Sequence, residues 1–202
     1  MEKTIAKELL SIGAVFLRPE DPFTWASGIK SPIYCDNRLV LSAPDARDKV
    51  EAGLASLVRA RFPETQMLMG TSTAGIAHAA LVASILGLPM GYVRGEAKSH
   101  GRTNRIEGRC PAGTRVVVVE DLISTGGSAV EVVQALREEG AEVLGIASIF
   151  TYGIRRGEER IAAAGTVNYS LSNLDALVEV ALEQGRISEE QKKQILQFRD
   201  AL

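Results

Sequence analysis

The 202-residue sequence predicts an α/β protein with a parallel sheet of about five strands and helices on both faces. Two observations carry that prediction. Short runs that are apolar at nearly every position alternate with segments of helical periodicity, as strands buried on both sides do. One of those runs ends in two carboxylates and a turn of glycines and hydroxyls, and a parallel sheet gathers its chemistry at the carboxyl ends of its strands.

In chain order, Ile5, Leu9 and Ile12 recur at helical spacing before Gly13, so residues 3–12 form a short amphipathic helix. From Phe16 to Val40 come Pro19, Pro22 and Pro32 with Phe16, Phe23, Trp25 and Tyr34, which is strand-and-turn chemistry. Ser42-Ala43-Pro44-Asp45 marks a helix start with Ser42 as N-cap, and Val50, Leu54, Leu57 and Val58 give that helix an apolar face up to about Arg61. After Pro63 the alternation sets in. Apolar runs at 67–69, 90–93, 115–119 and 143–150 are strands, with helices over 76–86 and 129–139 between them. Helices over 173–184 and 188–200 close the chain, and with no repeat or low-complexity linker residues 1–202 form one domain.

Composition narrows the function. The chain has 46% apolar residues, and 23 Lys+Arg against 25 Asp+Glu leave a net charge of −2, so no global field draws it to nucleic acid or an anionic membrane. The N-terminus lacks the apolar core of a signal peptide, and no run approaches the roughly 18 apolar residues of a membrane span. Cys35 and Cys110 belong to no CxxC or Cys/His cluster, which fits free thiols in a cytoplasmic protein and excludes a structural zinc site.

The most specific stretch is Val116-Val117-Val118-Val119-Glu120-Asp121-Leu122-Ile123-Ser124-Thr125-Gly126-Gly127-Ser128. A buried strand delivers Glu120 and Asp121, acceptors when ionised and suited to the vicinal hydroxyls of a ribose. Gly126 and Gly127 then let the backbone close on a phosphate at the start of the next helix, where Ser124, Thr125 and Ser128 add hydroxyl donors. Phosphate at one end and diol at the other describe ribose 5-phosphate. No Gly-x-Gly-x-x-Gly or P-loop is present, and the acidic pair comes too late in the chain for a response-regulator receiver. A second feature is the interval 94–114, about twenty residues with almost no apolar content, too long for an idle loop in a compact domain. It carries Arg94, Lys98, His100, Arg102, Arg105 and Arg109 and suits closure over a polyanion.

These residues together resemble the type I phosphoribosyltransferases, and within them the orotate phosphoribosyltransferase family. The strand-to-helix stretch is similar to the family's phosphoribosyl pyrophosphate motif. Residues 23–36, Phe-Thr-Trp-Ala-Ser-Gly-Ile-Lys-Ser-Pro-Ile-Tyr-Cys-Asp, resemble its N-terminal signature; Gly70-Thr71-Ser72-Thr73-Ala74-Gly75-Ile76 its pyrophosphate loop; Arg94-Gly95-Glu96-Ala97-Lys98-Ser99-His100-Gly101 its catalytic loop. The resemblance implies the type I fold with a small N-terminal hood over 1–40, and a mobile catalytic loop over 94–114. It also implies magnesium-dependent transfer of ribose 5-phosphate from phosphoribosyl pyrophosphate to orotate, giving orotidine 5′-monophosphate and pyrophosphate.

Carried over residue by residue, the resemblance makes Lys98, His100 and Asp121 catalytic. Phosphoribosyl pyrophosphate falls to Arg94, Lys98, His100, Glu120, Asp121, Leu122, Ile123, Ser124, Thr125, Gly126, Gly127 and Ser128, with Thr73, Ala74 and Gly75. Orotate falls to Ser124, with Ser27, Gly28 and Lys30 at the pyrimidine end. Magnesium would be held mainly by phosphoribosyl pyrophosphate near Asp121, with no ligand set of the protein's own. The family works as a homodimer in which Arg94, Lys98 and His100 act in the neighbouring subunit's site, with no nucleic-acid or membrane partner. Gly95 and Ala74 stand where relatives carry lysines, losses that Arg102 or Arg105 would offset. Thr151-Tyr152-Gly153-Ile154 lacks an arginine that some relatives use for the orotate carboxylate, leaving Arg155 as the nearest stand-in. His78 is read as a packed or surface histidine, while Trp25 and Tyr34 either line the base pocket or form the hood's core. The alternatives are a phosphoribosyl-pyrophosphate-sensing regulator, which lacks a DNA-binding module here, and an enzyme of the same fold acting on a purine or uracil, against which the N-terminal signature argues.

Overall fold

The chain is described here by a computed structural model covering residues 1–24, 30–95 and 105–202. Its N-terminal helix α1 (Glu2–Ser11) buries Ile5, Ala6, Leu9 and Leu10 on one side, the stripe the sequence spacing predicts. Then come the short strands β1 (Val15–Leu17), β2 (Phe23–Thr24), β3 (Lys30–Ser31) and β4 (Ile33–Cys35), paired antiparallel as β1 with β4 and β2 with β3. Phe23 joins Phe16 and Tyr34 at ring-centroid distances of 6.4 and 5.7 Å, so Tyr34 helps build the hood. A 3-10 turn over Asn37–Ser42 leads into α2 (Pro44–Arg61). Ser42 is therefore not the helix cap: the turn takes Ser42 as its last residue, and Ala43 occupies the cap position with no side-chain bond. Pro44 still opens the helix, its preset φ suiting the first turn.

The central sheet follows from β5 (Met67–Thr71), β6 (Met90–Val93), β7 (Ile106–Glu107), β8 (Arg115–Ile123), β9 (Glu142–Thr151) and β10 (Asn168–Asn173). Their order is β10-β9-β8-β5-β6-β7, parallel throughout except for β7, which runs antiparallel to β6. Helix α3 (Ala74–Leu86) links β5 to β6, and α4 (Gly127–Glu138) links β8 to β9. The remaining helices are α5 (Arg155–Ala163), α6 (Leu174–Glu183) and α7 (Glu189–Asp200). Asn173 caps α6 through a bond from the Ala176 N–H, and Ser188 with Gln191 forms a reciprocal capping box on α7.

Alternation along β8 divides the interior in two. Val117 and Val119 join the cluster under α1, α2, α3 and α6, while Val116 and Val118 face the α4 side with Val132, Val133 and Leu136. Three elements escape the sequence pattern. Strand β10 is polar at most positions, because as an edge strand it is only half covered. Helix α5 is mostly charged, with only Gly157 and Ile161 buried. Strand β7 falls inside the interval expected to lack structure, so the described part of 94–114 is anchored to the sheet. Among the described residues no helix is long and apolar enough to cross a membrane.

Candidate active site

The chain leaves β5 toward β6 on one side of the sheet and leaves β8 toward β9 and β10 on the other, so the strand order reverses between β5 and β8. Ligands of open parallel sheets bind in the crevice outside the strand ends at such a point. Here that crevice is a cavity of about 360 Å³. Glu120, Asp121, Leu122 and Ser128 line one wall, Ser72, Thr73 and Ala74 a second, and Cys35, Asp36 and Arg38 a third. A larger cavity of about 530 Å³ runs along edge strand β10, with Ile123, Thr151 and Tyr169 in its lining. The smaller cavity is the stronger candidate, because among the described residues it joins two adjacent carboxylates, the loop after β5 and the start of α4.

Glu120 is only 5% exposed. Its Oε1 accepts the Asp121 N–H at 2.9 Å and its Oε2 the Ser128 hydroxyl at 3.3 Å. Burial, with the adjacent Asp121 carboxyl adding to it, pushes the Glu120 carboxyl up to about 8. Asp121 is half-buried, and its main-chain carbonyl accepts the Asn37 side-chain amide at 2.7 Å. That bond ties the hood-side turn to the acidic pair across 84 residues of sequence.

The loop after β5 approaches β8 closely. A Cβ at Gly75 would sit 2.4 Å from the Val119 carbonyl oxygen, so only glycine fits there. The Ser72–Thr73 peptide bond is cis, and the Ser72 hydroxyl donates to the Val93 carbonyl at 2.7 Å, joining this loop to the end of β6. On the other side Gly126 caps the start of α4 at φ +69°, a left-handed conformation that glycine adopts freely, and Ser128 in the first turn lines the crevice. Arg160 of α5 donates to the Thr125 carbonyl at 3.1 Å and steadies the same turn. Ser124, Thr125, Gly127 and Ser128 stand at this turn as the sequence implies, whereas the Ile123 side chain is turned into the α4-side core, 4% exposed.

Other expected residues fall elsewhere. Arg94 ends β6 with its guanidinium 3.7 Å from the Glu107 carboxylate. Arg105 donates to the Arg94 and Gly95 carbonyls and fastens the base of the loop. Lys30 donates to the Thr24 hydroxyl at 2.7 Å and does not line the cavity. Arg155 is exposed, pairs with Glu159 on α5 at 2.8 Å, and is not among the residues lining the cavity. Lys98, His100, Ser27, Gly28, Trp25 and Arg102 lie outside the described residues. His78 is a packed histidine, fully buried, with Nδ1 2.6 Å from Glu51.

Sequence reasoning passed over Asn37 and Arg38 as site residues. The only signal was their position directly after the signature ending at Asp36. Asp36 accepts the Arg38 N–H and side chain, which starts the 3-10 turn and holds Arg38 at the cavity wall, while Asn37 lies buried behind it.

Comparisons with known proteins agree on the family. The phosphoribosyl transferase domain family matches residues 40–180. An orotate phosphoribosyltransferase of Bacillus cereus (strain B4264) is 58% identical over 199 residues, covering 98% of this chain and 95% of that protein. Among solved structures, an orotate phosphoribosyltransferase from Aeropyrum pernix is 30% identical with a TM-score of 0.78, covering 91% of this chain and 99% of that one. The structure of Leishmania donovani UMP synthase matches with a TM-score of 0.85 and 26% identity over 99% of this chain, which spans 42% of that longer protein.

Proposed function

Because the chain belongs to the phosphoribosyltransferases and, within them, to the orotate phosphoribosyltransferases, we propose that the β5/β8 crevice is where ribose 5-phosphate passes from phosphoribosyl pyrophosphate to orotate. The observation that carries this assignment to the crevice is the convergence there of a carboxylate pair, a phosphate-turn helix start and the loop after β5. In the reaction N1 of orotate bonds to C1 of the ribose and loses its proton, while the C1–O bond breaks and its electron pair leaves with pyrophosphate. Positive charge grows on the ribose ring and negative charge on the leaving group.

Each wall has a task in that charge separation. The turn over 124–128 takes the 5-phosphate on backbone N–H groups and hydroxyls. Asp121 and Glu120 accept the ribose hydroxyls through their carboxyl oxygens. Thr73, Ala74 and Gly75 receive the pyrophosphate, and Lys98, His100 and Arg94 bring positive charge to it, drawing off the electron pair and excluding water. Ser124 meets orotate, with Ser27, Gly28 and Lys30 on the hood side. Leu122 and Ile123 serve through the strand backbone rather than through polar side chains.

Among the described residues no three His, Cys, Asp or Glu side chains converge on an ion. The crevice does offer oxygen donors, chiefly Asp121, which suit magnesium held mainly by substrate oxygens. Bound there, magnesium supplies charge neutralisation to the departing pyrophosphate.

The working unit proposed is a homodimer in which one protomer's loop serves its partner's site. Support comes from α3, a 13-residue helix without a charged side chain whose Leu81 and Ile85 are 36% and 46% exposed, an apolar face suited to a second copy. Residues 1–202 act as one domain with 1–40 as hood and 94–114 as catalytic loop, working in the cytoplasm, where the unpaired thiols Cys35 and Cys110 stay reduced. The test is the loss of orotate ultraviolet absorbance when the purified protein meets orotate, phosphoribosyl pyrophosphate and magnesium, with uracil and hypoxanthine alongside. Magnesium-dependent loss with orotate alone is expected; tight phosphoribosyl pyrophosphate binding without turnover of any base would restore the regulator.

A further inference from the structure

The crevice has a charge problem that its ligands must solve. Its described lining includes three carboxyl groups, Asp36, Glu120 and Asp121, and one cation, Arg38. Orotate differs from uracil by an anionic carboxylate at C6, and such a group entering an acidic crevice needs a cation to meet it. Arg155 is paired with Glu159 on α5, and neither it nor Arg94 is among the described residues lining the crevice. We infer that Arg38 is the specificity-determining residue that receives the orotate carboxylate, through the edge of its guanidinium that Asp36 leaves open. The inference rests on the functional reading above and names a contact within it.

The geometry of the pair supports this. Nε of Arg38 donates to Asp36 Oδ1 at 2.6 Å and Nη2 to Asp36 Oδ2 at 2.8 Å, so Asp36 occupies the side-on edge of the fork. A guanidinium carries five N–H donors, and the end-on edge keeps Nη1 with the second hydrogen of Nη2. No hydrogen bond from Nη1 to another described residue is present, and the side chain is 64% exposed where it lines the crevice. A ligand carboxylate can therefore dock on two parallel N–H bonds while Asp36 stays bound. Asp36 thus acts as a positioning residue that fixes the plane of the fork.

The base of this arrangement is rigid. Asp36 N–H donates to the Ala14 carbonyl at 2.8 Å, and Asn37 joins the Cys35 thiol on one side to the Asp121 carbonyl on the other. Arg38 consequently stands at a set distance from the strand that carries the ribose-binding carboxylates. A lysine could not replace it, having a point charge and no second edge to keep for Asp36.

The experiment compares binding of orotidine 5′-monophosphate and uridine 5′-monophosphate, identical except for the carboxylate, by calorimetry to wild type, Arg38→Ala and Arg38→Lys. Wild type should prefer the carboxylated nucleotide by roughly 10- to 100-fold, the span of a charge-assisted contact. Arg38→Ala should bind the two alike with its uridine 5′-monophosphate affinity unchanged, and Arg38→Lys should fall between. In steady state the same loss should appear in KM for orotate and not in KM for phosphoribosyl pyrophosphate. Equal weakening of both nucleotides, an unchanged preference in Arg38→Ala, or no preference in wild type would each overturn the inference. Should Arg38→Ala fail to fold, Arg38→Gln with the same pair of nucleotides decides it. Turnover of orotate by wild type is measured in parallel, and its absence counts against the functional reading instead.

Discussion

Glu120 and Glu51 are both buried glutamates, 5% and 2% exposed, and burial pushes both carboxyls upward. Their surroundings differ. Glu120 stands at the end of β8 on the wall of an open crevice, with hydroxyl and N–H donors around it and Asp121 beside it. Glu51 sits between α2 and α3, its Oε1 2.6 Å from His78, with its second oxygen and His78 Nε2 unbonded. Weakened acidity and burial alone would rank the two together. What separates them is access: one carboxyl can exchange its proton and partners with a ligand, while the other can only hold two helices together.

The largest effect should come from the open site. Asp121→Ala is expected to lower turnover about 1,000-fold or more, because charge on the ribose would lose its acceptor as the transition state forms, while the melting temperature holds. Lys98→Ala should do the same from the loop. Mixing the two variants should regain activity, since each heterodimer would hold one intact crevice. No recovery after proven subunit exchange would place the loop in its own protomer's site.

The closed pair should show the reverse. His78→Ala leaves Glu51 buried without its partner and should cost about 3 kcal/mol of stability, read by denaturant unfolding, with turnover per folded molecule kept within about twofold. Replacing both with apolar residues, Glu51→Met with His78→Leu, should recover most of that loss. A hundredfold fall in turnover for the double variant would erase the contrast and give the pair a part in catalysis.

A smaller, sign-specific effect of Glu120 is read by pH. An ordinary glutamate titrates near 4.5 when unfolded, whereas folded Glu120 keeps its proton up to about 8. Between those values the folded chain holds a proton that the unfolded chain has lost, so this group's contribution to stability declines as pH rises from about 5 to 8. Glu120→Gln should remove that slope and melt about 5 °C higher than wild type at pH 8 without ligand. Equal slopes in the two proteins would show that Glu120 is ionised in the folded protein across that range.

The sheet was legible because burial on both faces writes itself as runs such as 116–119, and the acidic pair was legible because it follows such a run directly. Edge elements were not. Strand β10 and helix α5 are half in water, so their polar residues mask the periodicity that reveals covered elements. Arg38 was hidden for another reason: its place depends on a 3-10 turn and on the Asn37 bond to Asp121, contacts across 84 residues that no local pattern encodes. Ser42 misled because a cap-like residue before a proline reads the same whether it ends one turn or starts the next helix.

Arg160 tests the comparison where it is weakest. It lies on α5, is half-buried, and reaches the site through one bond to the Thr125 carbonyl. Like the Glu51–His78 pair it touches no ligand; unlike that pair it braces a turn that does. If access to the crevice is what matters, Arg160→Ala should raise KM for phosphoribosyl pyrophosphate about threefold, the span of one exposed hydrogen bond, and leave KM for orotate alone. The melting temperature should move by less than about 2 °C, because an exposed contact adds little to the fold. An unchanged KM with a clear loss of stability would put Arg160 with Glu51, as a residue that holds the fold and not the phosphate.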